Sequence, residues 1–131
     1  MALMRARESI MSHFRPILAE HDLTEQQWRV LRALAANDTP CSVGDLAQQT
    51  FLLGPSLSRM LASMAERELI QRTAHGGDAR RSEITISDAG SALVDEVAPQ
   101  SEAVYQRISD ALSASELDML YDLLERTAQI E

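Results

Sequence analysis

The sequence predicts a mainly helical fold carrying one small β-hairpin, and three observations predict it. Two short helical segments joined by a tight connection lie between Cys41 and Ile70. Two runs of alternating polarity, rich in β-branched residues, follow at 69–73 and 82–86. Longer amphipathic helices stand at both ends of the chain. Helix, turn, helix and then hairpin is the order of a winged helix-turn-helix. It spans about 42–86, flanked by helical segments at 1–20 and 88–131, within one domain covering 1–131.

In residues 2–20, Leu3, Ile10, Phe14, Ile17 and Leu18 form a helical pattern that Pro16 should kink or weaken. Thr24 is a suitable N-cap for the second helix, and Gln27, three residues on, completes a capping box. Leu23 and Trp28 occupy the two positions of a hydrophobic staple across that start. Val30, Leu31 and Leu34 carry the helix to a polar turn at 37–40. Ser42 caps a short third helix, with Asp45 in its first turn where an acid suits the helix dipole.

Gly54 and Pro55 open the fourth helix, since proline is pre-set for the first helical position. Its apolar face is Leu57, Leu61 and Met64. The two strands enclose a loop at 74–81 long enough to project from the body. Ser87 caps a fifth helix running to about Ala111, with Pro99 as an expected bend. Ser113 and Glu116 form a further capping box ahead of a sixth helix bearing Leu117, Leu120, Leu123, Leu124 and Ile130.

The 131 residues, 45% of them apolar, are enough to fill a core. No signal-peptide pattern or membrane-length apolar run is present. The single cysteine, Cys41, cannot form an internal disulfide, which fits a reducing cytoplasm, and it reads as a small structural residue. A net charge of −8 argues at first against nucleic acid. Its distribution changes that reading, because attraction decays over a Debye length of roughly 8–10 Å. Residues 86–131 hold ten acids against Arg107 and Arg126, whereas 53–85 hold five arginines against four acids. All twelve basic residues are arginine, which suits bidentate contacts to phosphate and guanine, although a compositional bias would look the same.

The fourth helix has a second face: Ser56, Arg59, Ser63 and Arg67 lie opposite the apolar stripe, with Ser58 also in the first turn. Short hydroxyls that let the backbone approach, beside a long donor, are what a groove-reading helix needs. A solvated surface face would use the same residue types. Ser42 and Pro55, at the starts of the third and fourth helices, complete this candidate DNA-facing set. Arg80 and Arg81 are expected at the hairpin tip, where a basic wing enters a minor groove. Asp78 would orient one of these arginines, and a plain surface turn built on Gly76 and Gly77 is the alternative.

The segment from Asp78 to Gly90 (Asp-Ala-Arg-Arg-Ser-Glu-Ile-Thr-Ile-Ser-Asp-Ala-Gly) resembles the wing signature of the MarR family of bacterial regulators. The helix order matches that family over nearly the whole chain. The runs Phe14–Ile17, Leu23–Arg29 and Leu53–Ser58 are similar to a subgroup that represses an aromatic-compound catabolic operon. The resemblance implies a homodimer whose first, fifth and sixth helices interlock and which grips a near-palindromic duplex operator. It also implies repression relieved by a small phenolic acid, with no cofactor. The Leu and Ile stripes of the terminal helices agree, since one small winged helix cannot cover them and large apolar patches mark interfaces.

In this family phenolic ligands bind between the dimer helices and the DNA-binding lobe. Ser12, His13, Arg15, His21, Trp28 and Arg32 lie on the elements that would frame such a cleft. Arg15 is the expected clamp for a carboxylate, Trp28 the cover for a ring, and His13 or His21 the acceptor for a phenol hydroxyl. Trp28 as plain core, and Arg15 paired with Glu20 or with a neighbouring subunit, are the competing readings. A regulator with no effector, or one working mainly through protein contacts, is the competing function. An enzyme is not expected: no nucleophile elbow, phosphate loop or dinucleotide fingerprint occurs, and His13, His21 and His75 lack metal-ligand spacing.

Overall fold

The computed structural model describes residues 1–75 and 78–130, with the side chains of 75 and 78–80 excepted. Its elements run α1 (Ala2–Glu20), α2 (Glu25–Ala36), β1 (Cys41–Ser42), α3 (Val43–Thr50), α4 (Gly54–Glu66), β2 (Ile70–His75), β3 (Asp78–Ile86), α5 (Asp88–Asp110) and α6 (Ala114–Ala128). The fold is mainly helical with a three-stranded antiparallel sheet in the order β1-β3-β2.

Helix starts follow their caps. Thr24 accepts from the Gln27 backbone N–H while the Gln27 side chain accepts from the Thr24 N–H. Ser42 with Asp45 and Ser113 with Glu116 repeat this reciprocal arrangement at α3 and α6, and the Ser87 hydroxyl accepts from Gly90 at the start of α5. Leu23 and Trp28 are both buried, as a staple requires. Pro16 and Pro99 lie inside α1 and α5, which continue through them.

The sheet holds more than the expected hairpin. Cys41 and Ser42, the latter also the cap of α3, form a short strand against Ile84 and Glu83. The hairpin strands also run into the expected loop at 74–81, with His75 opposite Asp78. Residues 76–77 lie outside the described residues, and Arg80 and Arg81, expected at the tip, belong to β3. Interstrand pairing outweighs the low strand propensity of an Ala- and Arg-containing segment.

The core joins α2 (Trp28, Val30, Leu31, Leu34), α3 (Leu46), α4 (Leu57, Leu61, Met64), the sheet (Ile70, Ile84) and the inner faces of α1 and α5 (Phe14, Leu18, Val97, Val104). Cys41 lies in this core, where burial pushes its thiol up from the ordinary value. By contrast, α6 buries no residue. Among the described residues no helix is long and apolar enough to cross a membrane.

Hydrogen bonds hold three carboxylates below their ordinary values: Glu8 through Arg15, Asp45 through the Ser42 N–H, and Glu116 through the Ser113 N–H. A depressed folded value gives stability that is present above the unfolded value and lost as pH falls through the folded one. Urea midpoints should therefore hold from about pH 7 to 5 and fall below about pH 4. Glu8→Gln should flatten part of that acid limb, which equilibrium denaturation at each pH would measure.

Candidate nucleic-acid interface and ligand cavity

The reading face of α4 follows from its helical period. Leu57, Leu61 and Met64 are fully buried, which turns Pro55, Ser56, Arg59 and Ser63 to solvent and leaves Ser58 half-buried. The N-cap, Leu53, offers no side-chain oxygen, so the first N–H groups of α4 lack a capping side chain. Such a helix start suits a phosphate. Arg59 and Arg81 are exposed, and neither pairs with an acid among the described residues. The side chains of Asp78 and Arg80 lie outside the described residues.

Arg67 has a different task from the one its spacing suggested. It is the C-cap of α4, and its guanidinium donates to the Asp22 carbonyl at 2.7 Å and the His21 carbonyl at 3.5 Å. It ties the end of α4 to the turn between α1 and α2 and leaves the reading stripe. Ser42 is half-buried, with its oxygen accepting from Asp45 N–H at the start of α3.

A cavity of about 300 Å³ lies between α1, α2 and α5, lined by Met11, Phe14, Glu25, Trp28, Arg29, Arg32 and Tyr105. Four of these, Glu25, Trp28, Arg29 and Arg32, come from one face of α2 at i, i+3, i+4 and i+7. Phe14 and Tyr105 stand with ring centroids 5.2 Å apart and tilted by 58°. The Arg32 guanidinium lies 5.9 Å from the Tyr105 ring centroid, and its Nη1 donates to the Tyr105 hydroxyl at 3.4 Å. A neighbouring cavity of about 270 Å³ shares Trp28 and Arg32 and is lined on its far side by Val94, Ala98 and Ser101. The Ser101 hydroxyl is buried with no hydrogen-bond partner among the described residues.

The cavity thus has aromatic walls, two guanidinium groups and one carboxylate. Glu25 receives hydrogen bonds from Arg7 and from Arg15, the latter at 3.3 Å. Bonding to Glu25 raises the Arg7 guanidinium above its ordinary value, and bonding to Glu8 does the same for Arg15. Such a site can hold a flat aromatic anion, with its ring against Trp28 and Phe14 and its charge at arginine.

Of the six ligand candidates, the structure brings Trp28 and Arg32 together at this cavity. Trp28 is both core, at 7% exposure, and cavity wall, so the two readings of it were not exclusive. Arg15 lies outside this lining and pairs with Glu8 and Glu25, neither of them the predicted Glu20. Ser12 donates to the Ser9 carbonyl from an exposed position, and His13 is exposed. His21 faces Glu96, with Nδ1 3.9 Å from the carboxylate. Sequence reasoning missed Tyr105, Glu25 and Arg29. The period of α2 would have exposed the last two, because they share a face with Trp28 and Arg32.

Residues 21–81 match a model of the MarR family. The chain is 39% identical to the homoprotocatechuate degradative operon repressor of Escherichia coli over 95% of its length and 83% of that protein's. The chain belongs to the MarR family. Two solved structures share its architecture across nearly all of both chains. NadR in complex with 4-hydroxyphenylacetate superposes with a TM-score of 0.83 at 35% identity, covering 99% of this chain and 92% of that one. CouR bound to a 23-mer DNA duplex gives 0.86 at 26% identity, covering 98% and 90%. This MarR-family protein is accordingly a winged-helix transcription regulator.

Proposed function

We propose that this MarR-family protein is a dimeric, cytoplasmic repressor of an aromatic-catabolic operon, released from its operator by a small hydroxylated aromatic carboxylate. The observation that carries the reading is the cavity in which Trp28, Arg32 and Tyr105 meet Glu25. Its volume of about 300 Å³ suits a ligand at the small end of the usual pocket range. Arg32 takes the carboxylate, helped by the Tyr105 hydroxyl; Trp28 and Phe14 cover the ring; Glu25 accepts from a ring hydroxyl. NadR, with 4-hydroxyphenylacetate bound, supports this chemistry by likeness.

On the DNA side, residues 42–86 form the grip. Ser56, Ser58, Arg59 and Ser63 read the major groove, the uncapped start of α4 with Pro55 and Ser42 approaches phosphate, and Arg80 and Arg81 on β3 reach the minor groove, oriented by Asp78. Residues 1–20 and 88–131 pair two copies, so that the two reading helices address half-sites about one helical turn apart.

Operator binding tests the first half. The protein should prefer duplex from its own upstream intergenic region over random duplex, with affinity falling steeply as salt rises. Arg59→Ala should cost about 1–3 kcal/mol and relax specificity, whereas Arg81→Ala should lower the salt slope by about one. Absence of any preference at low salt overturns the repressor reading. For the ligand half, quenching of Trp28, the chain's one tryptophan, reports binding. Arg32→Ala should weaken binding of 4-hydroxyphenylacetate roughly 10- to 100-fold, the scale of a lost charge-assisted hydrogen bond. Unchanged quenching in that variant removes Arg32 from the site.

A further inference from the structure

We propose that Arg29 is the positioning residue through which the cavity governs the DNA-reading helix. It lines the cavity from α2, and its Nη1 donates to the Thr50 carbonyl at 2.7 Å. Thr50 is the last residue of α3 and is fully buried, and its own hydroxyl donates back to the Leu46 carbonyl. The next residue, Phe51, turns the chain at φ 57° and ψ 32°, and α4 begins at Gly54. Only residues 51–53 therefore separate the held carbonyl from the reading helix.

The last carbonyls of a helix have no partner within it. At α1, α2 and α4 the cap residue closes the end with its own backbone N–H. At α3 that role falls to the Arg29 guanidinium, whose positive charge also suits a helix C-terminus. Arg29 thus fixes the direction in which the chain enters α4.

Arg29 also lines the space where an anion would bind, a step that rests on the effector reading of the cavity. An anion drawing Arg29 towards itself leaves the Thr50 carbonyl unpaired in a buried setting, which is costly. The ligand-bound and Thr50-held arrangements then compete for one side chain. That competition is the differential affinity a ligand needs in order to shift DNA binding.

Arg29→Met and Arg29→Lys test the proposal, read by operator affinity, random-duplex affinity and Trp28 quenching with 4-hydroxyphenylacetate. Arg29→Met should bind operator about tenfold more weakly while keeping random-duplex binding within about twofold, within the usual range of coupling between sites. It should still quench with 4-hydroxyphenylacetate, yet the ligand should change its operator affinity by less than about twofold. Arg29→Lys, which keeps one donor for the carbonyl, should recover most operator affinity. Wild-type operator affinity in Arg29→Met overturns the proposal, as does a wild-type ligand response. Equal losses on operator and random duplex also overturn it, because they mark Arg29 as merely structural. Should the wild-type protein ignore 4-hydroxyphenylacetate, the effector reading fails alone, and ligand-free operator affinity still decides whether Arg29 positions α4.

Discussion

Leu124→Asp, alone or with Leu120→Asp, is expected to leave the protein folded, monomeric and unable to hold its operator. Helix α6 buries none of its residues although Leu120, Tyr121, Leu123 and Leu124 follow one another along it. Leu120 and Leu124 face Leu3, Ile10 and Met11 of α1 across an apolar cavity of about 520 Å³. Leu3 and Met4 are likewise exposed. An apolar surface continuous over two helices is the mark of an interface, and a second copy of the chain is the occupant in the dimer proposed above. A carboxylate placed there costs little in the monomer, because Leu124 already meets solvent, and much in the dimer, where it would be buried unpaired. Losing the link between two reading helices removes an avidity of about 10²–10⁴. Light scattering should report half the mass, and circular dichroism should be unchanged.

Gly90→Ala is expected to be the most damaging of the Gly→Ala changes among the described glycines. Gly90 stands in the first turn of α5, pressed against the end of the winged helix-turn-helix. A Cβ built there would lie 2.1 Å from the Leu69 carbonyl oxygen and 2.8 Å from Ile86 Cγ1. Neither neighbour is the loose end of a flexible side chain. The Leu69 carbonyl is also the acceptor for the Ser87 N–H at 3.1 Å, and the Ser87 hydroxyl donates to the Glu68 carbonyl at 2.6 Å. The added carbon must therefore push α5 away from the strand it follows and strip hydrogen bonds as it does so. Overpacking and the lost bonds together should cost about 3 kcal/mol, and lower the melting temperature by roughly 10 °C. Because α5 also carries Tyr105 and Val104 towards the cavity side, ligand affinity should fall with stability.

The helices were legible because their signals are local: the Thr24–Gln27 and Ser113–Glu116 boxes, the proline opening α4, and the periodic apolar faces all act within a turn or two. The strand at Cys41–Ser42 was not. Two residues carry no period, and their partners, Ile84 and Glu83, lie some forty positions on. Extension of the hairpin to His75 and Asp78 was hidden for the same reason, since pairing across the hairpin outweighs what either strand prefers alone.

The site divides along the same line. The polar stripe of α4 could be read from its spacing as far as Ser63, and failed at Arg67 because the helix ends at Glu66 and the arginine leaves the stripe. On α2 the face containing Trp28 and Arg32 was within reach of the helical period. Tyr105, which approaches Arg32 from 73 residues away, was not. Nor was the engagement of Arg15, which depends on Glu25 coming from the next helix to meet it.

The central claim is that one cavity, between α1, α2 and α5, decides whether the protein stays on DNA. Fluorescence anisotropy of a labelled operator duplex, titrated with 4-hydroxyphenylacetate against wild type and Arg32→Ala at fixed salt, tests it most directly. The expected result is release of the wild-type complex and retention of the Arg32→Ala complex at the same ligand concentration, with equal affinities before ligand is added. Release of both complexes along the same curve, or of neither, would contradict it.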